Sequence, residues 1–160
     1  MTHRTHSSLA LSALFVAGVL SCGTARAQSA VPNLIGTWGG SGRITYTDGS
    51  SEAIRCTAYN TGGGANLKMN IQCKSDRNPV NIRSDLTIES GRVSGQWEER
   101  TFNASGSASG KASGSNLSLS VSGGGFNGTM SVSVASSSLN ISLTTQGIAM
   151  SRASMNLNKQ

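Results

Sequence analysis

From Val80 to Glu89 apolar and polar residues alternate. Val80, Ile82, Leu86 and Ile88 share one parity; Asn81, Arg83, Asp85, Thr87 and Glu89 share the other. Successive side chains of a strand point to opposite faces, so this alternation predicts a half-buried strand with Ile82 in the core and Arg83 in water. The pattern recurs along the chain. Leu67, Met69, Ile71 and Cys73 oppose Lys68, Asn70, Gln72 and Lys74, and Leu117, Leu119 and Val121 oppose Ser118, Ser120 and Ser122. Phe126, Met130, Val132 and Val134 continue it, followed by Leu139, Ile141 and Leu143 and then Ala153, Met155 and Leu157. No segment beyond Gln28 has a convincing helical period.

Turn chemistry separates these runs. Thr47–Ser50 (TDGS), Thr61–Asn66 (TGGGAN), Asp76–Pro79 (DRNP), Glu89–Gly91 (ESG), Gly114–Asn116 (GSN) and Ser122–Gly125 (SGGG) all read as hairpin connections. The count is about eight to ten strands at the spacing of an all-β sandwich or barrel. A single antiparallel domain over residues 28–160 is expected, with a barrel favoured.

One stretch resists that reading. Thr101–Gly125 is nearly all Ser, Gly, Ala and Asn, the composition of a flexible linker. Yet Ala104, Gly106, Ala108, Gly110, Ala112 and Gly114 fall on one parity, and Ser105, Ser107, Ser109, Lys111 and Ser113 on the other. A linker needs no such segregation. Residues 103–113 are therefore read as a strand, against a linker alternative that the poor strand propensity of Ser and Gly keeps open.

Cysteine placement tests the register. If Cys56 opposes Cys73, Ala58 faces Ile71 and the loop centres on Gly64 and Ala65. Ile54, Cys56 and Ala58 then share the apolar face with Met69, Ile71 and Cys73, so one register fits hairpin, disulfide and burial together. A bond closing a loop of that length stabilises by about 3 kcal/mol in the chain-entropy model.

The N-terminus bears on the address. Arg4 precedes the apolar run Leu9–Leu20, and Ala25–Ala27 (ARA) supplies small residues at a cleavage site. That order is a secretory signal peptide over residues 1–27, with a mature start at Gln28. Its apolar run falls short of the roughly 20 residues that span a bilayer, and the mature chain is expected to carry no transmembrane segment. Val19–Cys22 (VLSC) also resembles a lipobox, which would anchor a bacterial lipoprotein at Cys22. Either way the expected compartment is periplasmic or extracellular, where a cysteine pair oxidises.

Cleavage removes both histidines, His3 and His6. Serine–histidine, cysteine–histidine and histidine–metal chemistry are then excluded, and two cysteines alone fall short of a metal site. No cofactor is expected. Glu98 and Glu99 are adjacent and point to opposite faces of a strand, so they form no catalytic pair. Glu99 shares parity with Val93 and Trp97 and is expected at a barrel end, either reaching water or meeting a ligand cation or Arg43. The chain is basic, with net charge +6, but its bases are scattered singly along the sequence and aromatics are few. That spacing argues against nucleic-acid binding. An outer-membrane barrel would carry its apolar face outward behind aromatic girdles, which this composition does not favour.

Gly36-Thr37-Trp38 resembles the Gly-x-Trp entry of lipocalins and related small barrels, where the tryptophan plugs one end. The whole layout resembles small secreted proteins of alphaproteobacteria: that opening, a cysteine pair on an early hairpin, the Gly91–Trp97 strand and a Ser/Gly-rich second half. The resemblance implies a β-barrel and assigns no activity. A small barrel with one disulfide is also similar to periplasmic protease inhibitors, although the cysteine placement here departs from theirs.

Gly40, Gly42, Gly95, Gly106, Gly110 and Gly128 fall on apolar parities. Missing side chains inside a barrel mean either free volume or close backbone approach. With free volume, Trp38, Trp97, Ala104, Ala108 and Ala112 become candidate ligand-lining residues. Three classes follow: a non-enzymatic module binding another exported protein, a carrier of a small apolar ligand, and an enzyme restricted to carboxylates and hydroxyls.

Overall fold

The computed structural model describes residues 31–160 apart from Asn78. The signal peptide and the Cys22 lipobox lie outside these residues. The alternating runs form ten strands: β1 (Gly36–Tyr46), β2 (Ser51–Gly63), β3 (Asn66–Lys74), β4 (Val80–Glu89), β5 (Arg92–Glu99), β6 (Ala104–Ser113), β7 (Asn116–Gly123), β8 (Phe126–Ala135), β9 (Ser138–Gln146) and β10 (Met150–Lys159). Each pairs antiparallel with its sequence neighbour, and β1 pairs with β10, closing a barrel without free edges. The Ser/Gly stretch is strand β6, hydrogen-bonded on both sides. It faces Ala108 inward and the serines outward, as its parity requires.

Register follows the cysteines. Cys56 pairs with Cys73 and Ala58 with Ile71, and the two cysteines form a disulfide with a Cα–Cα distance of 4.1 Å. Glu89 pairs with Arg92, leaving Ser90 and Gly91 as a two-residue turn. Both have positive φ, 49° and 75°, the geometry whose twist matches that of the flanking strands.

The two ends of the barrel differ. A short helix the alternation did not indicate, α1 (Val31–Leu34), lies across one end. Its Asn33 amide donates to the Ser115 hydroxyl of the β6–β7 turn at 3.1 Å. Trp38 Nε1 and Asn60 Nδ2 both donate to the Leu34 carbonyl, at 3.1 and 3.0 Å, satisfying a helix-terminal acceptor that has no intrahelical partner. Leu67, Leu86, Leu117, Leu139 and Leu157 pack behind this plug, all essentially without solvent exposure. Each such side chain stabilises by about 1.5–3 kcal/mol relative to exposure. At the opposite end, the mouth, inward positions are only half-buried: Val80 and Ile82 on β4, Ala104 on β6, Phe126 on β8 and Met150 on β10. Ile82 therefore has the expected inward direction but not the expected depth. Alternation reports the face of a residue and is blind to its height in the barrel.

The outward wall carries Ser, Thr, Asn and charged residues, and the inward wall carries the core. A lipid-facing barrel needs the reverse.

The inward glycines mark close approach. A Cβ on Gly40 would overlap the Asn156 carbonyl, one on Gly95 the Asp85 carbonyl, and one on Gly110 the Ser118 carbonyl, with Leu119 Cα at 2.9 Å. These sites are places where a coiled strand brings the neighbouring backbone in, the role of glycine at barrel bends. Gly110→Ala is expected to lower stability by about 1–3 kcal/mol, since only backbone movement relieves the overlap. Urea unfolding of that variant checks it; a neutral substitution would restore the free-volume account at this position.

Candidate functional site

The candidate ligand-lining residues do not gather in one place. Trp38 is fully buried at the plugged end. Ala112 lies near that same end, Ala108 is at mid-height and 5% exposed, and Ala104 and Trp97 sit at the mouth. The small residues around Trp97 have a local reason. The indole crosses β6, so that a Cβ on Gly106 would lie 2.8 Å from Trp97 Cζ2 and one on Gly124 would lie 3.0 Å from Cη2. Phe126 tilts against the indole at 5.2 Å between ring centroids, and Trp97 Nε1 donates to the Ser122 carbonyl at 3.2 Å. The space left by Gly106 and Gly124 is filled by Trp97.

Glu99 does not meet Arg43 and is largely withdrawn from water. It is 9% exposed, and its two carboxylate oxygens accept the backbone N–H groups of Asn81 at 2.8 Å and Phe102 at 2.6 Å. The carboxylate thus ties the β5–β6 turn to β4. Arg43 points outward and donates to the Ser51 hydroxyl at 2.8 Å. Glu98 faces the other way, 3.9 Å from Arg100.

A second polar group at the mouth escaped the sequence reading. The Tyr46 hydroxyl donates to Glu52 Oε1, and the Arg77 guanidinium lies 4.4 Å from the Tyr46 ring centroid. The hydroxyl holds Glu52 below its ordinary range, with Ser75 and the Arg77 backbone acting in the same direction. The same bond, followed by burial, pushes Tyr46 above its ordinary value. Both shifts favour a neutral donor on an ionised acceptor, the arrangement that stabilises the β1–β2 hairpin at neutral pH.

Two concavities lie on the outside of the barrel. One, of about 500 Å³, runs over β1, β10, β9 and β8 and is lined by Arg43 with Ser and Asn side chains such as Ser131, Asn140, Ser154 and Asn156. The other, of about 460 Å³, runs over β2 to β6 and contains Tyr59, Asn70, Arg83, Gln96 and Glu98. Register places Tyr59, Asn70, Arg83 and Glu98 in one cross-strand row. Beside it Lys68 and Asp85 pair at 3.4 Å.

No protein-family model matches the chain, and no curated protein sequence matches it. Solved structures do. The chain is similar to Rv2717c from M. tuberculosis, with a TM-score of 0.68 and 16% identity, over 84% of this chain and 99% of that one. It is also similar to the S-type phycobiliprotein lyase CPES from Guillardia theta, with a TM-score of 0.60 and 9% identity, over 81% and 90% of the two chains. At these identities the likeness is one of fold: a single closed antiparallel barrel of lipocalin-like type.

Among the described residues no three His, Cys, Asp or Glu side chains form a metal-holding group. Of the two inward carboxylates at the mouth, Glu99 is held by backbone donors and Glu52 by the Tyr46 hydroxyl. The outer wall, by contrast, presents hydroxyls, amides and charges in ordered rows.

Proposed function

We propose that this protein is an exported, non-enzymatic barrel that acts as a binding module through its outer wall. The observation that carries the reading is the position of the two grooves, both outside the barrel, beside an interior in which Trp97 occupies the space left by small residues. Export is supported by the leader pattern of residues 1–27 and by the Cys56–Cys73 disulfide, a bond that persists in oxidising compartments. The secreted or periplasmic space supplies the partner.

A carrier of a small apolar ligand is the second reading. The half-buried apolar residues of the mouth favour it, as does the fold likeness to a phycobiliprotein lyase. Titration with a fluorescent fatty-acid analogue separates the two. A module that works through its wall leaves the dye unbound, and Ala108→Leu then overpacks the interior and costs about 1–3 kcal/mol. Saturable dye binding by the wild type, lost in Ala108→Leu while the fold survives, would establish the carrier instead.

A further inference from the structure

Basic residues that stand far apart in the sequence meet on one wall. On β10 Arg152 pairs with Thr45 of β1, and Ser154 pairs with Arg43. On β2 Arg55 pairs with Ser41, and Ala53 pairs with Arg43. Arg55 in turn pairs directly with Lys74 of β3. Arg152, Arg43, Arg55 and Lys74 therefore step diagonally across four adjacent strands, and all four are exposed. Direct neighbours in a sheet lie about 4.5–5.5 Å apart and diagonal ones about 7–8 Å, so this is one continuous band of positive charge.

The band is uncompensated. The ion pairs among the described residues are Lys68–Asp85 and Arg100–Glu98, both elsewhere. Other carboxylates are committed: Glu99 to backbone N–H groups, Glu52 to Tyr46 and Asp48 to Ser50, while Glu89 faces Arg92 across the sheet. Asp76, in the loop after Lys74, is the acid nearest in sequence to the band. Like charges set directly opposite, as Arg55 and Lys74 are, destabilise a sheet. A run of four such residues is a surface suited to an anionic partner.

We propose that this band is the docking surface for an acidic polysaccharide, a glycan chain bearing carboxylates. The proposal rests on the outer wall being the binding surface and names its partner. Charge complementarity selects an anion. The groove beside the band selects the polymer. Arg43 belongs to both, and the groove's remaining outward side chains are serines and asparagines. Hydroxyl and amide groups match the hydroxyls of sugars, and Asn156 already donates to Asn140 at 2.9 Å along the groove floor. A single-stranded nucleic acid would want aromatic rings among the bases, and a bilayer would want an apolar face to insert; a duplex, held through its phosphates, is a competing partner that the experiment below tests. Among the described residues the exposed large hydrophobics are Tyr59 and Phe102, neither of which lies in the band.

The experiment is co-sedimentation of the oxidised, secreted protein with four probes: polygalacturonate, neutral dextran, phosphatidylglycerol vesicles and duplex DNA. Binding to polygalacturonate is expected, weakening as salt screens the exposed charges. Dextran should not retain the protein. Replacing all four cations (R43Q, R55Q, K74Q, R152Q) should weaken polygalacturonate binding by about tenfold or more. A control with the same loss of charge elsewhere (R92Q, R100Q, K111Q, K159Q) should bind as the wild type does. Equal losses in both variants would reduce the effect to net charge and overturn the proposal. So would tighter retention by vesicles or DNA, or no retention by polygalacturonate at all. None of these results bears on the dye titration, so the outer-wall reading and this partner can fail separately.

Discussion

Trp38→Ala should lower the stability of the folded chain by about 3–5 kcal/mol, the range of large aromatic deletions in cores. Trp38 is fully buried and stands where β1 leaves α1. Its indole N–H donates to the Leu34 carbonyl, which also receives the Asn60 amide. Lys159 lies 5.3 Å from the ring centroid and covers it from the C-terminal strand. Deletion therefore opens a cavity at the plugged end and removes one of the two side-chain bonds to the Leu34 carbonyl. Trp97→Ala should cost less. Its ring lies at the half-buried mouth, on glycines that leave the sheet unstrained when the ring is gone. Urea unfolding followed by far-UV circular dichroism compares the two variants. Equal losses would mean that the mouth is as tightly packed as the plugged end.

Much of this fold is legible in the sequence because a strand's period is short and strict. Each run of alternation named its inward face, and the cysteine pair fixed one register. Serine and glycine hid β6 only from propensity; their segregation by parity placed it in the sheet, where β5 and β7 satisfy its backbone. Height along the barrel is another matter. Ile82 and Leu86 have the same parity, but Ile82 is only half-buried at the mouth and Leu86 is sealed, a difference set by where the strand begins relative to its neighbours. The inward glycines were ambiguous for a similar reason. Whether a missing Cβ leaves space depends on the neighbouring strand's backbone, and the Ser118 and Asp85 carbonyls fill it. Glu99 lies inward at a barrel end as its parity requires, but its partners, the N–H groups of Asn81 and Phe102, belong to a strand end and a turn that no side-chain pattern records.

The basic band was within reach. The register that sets Cys56 against Cys73 also sets Arg55 against Lys74, one position further along the hairpin. Reading bases along the chain scatters them; reading them across the hairpin brings two together. Arg43 and Arg152 needed the closure of β1 onto β10, which joins the two ends of the sequence and is not encoded in any local window. The candidate binding surface is therefore a property of topology, whereas the core is a property of alternation.

Removing the disulfide should cost about 3 kcal/mol, through the double variant Cys56→Ala with Cys73→Ala. The two sulfurs close a hairpin loop with a sequence separation of 17 residues, and that loop is otherwise free in the unfolded chain. Its loss therefore acts mainly on the unfolded state, and the folded barrel keeps its register through the β2–β3 hydrogen bonds. Both cysteines are buried, at 4% and 6% exposure, so alanine at each position also forfeits some packing, including the contact of Cys73 with Met155. Reduction of the wild type removes the crosslink without the packing loss. It should reproduce most of the destabilisation measured for the double alanine variant, and intact mass should rise by two hydrogen atoms on reduction by an added thiol or phosphine. If reduction leaves the unfolding midpoint unchanged while the alanine variant falls, the effect is packing alone and the crosslink contributes nothing to this barrel. A covalent dimer in place of the intramolecular bond would break the pairing of Cys56 with Cys73, and with it the register that sets Arg55 beside Lys74 on the outer wall.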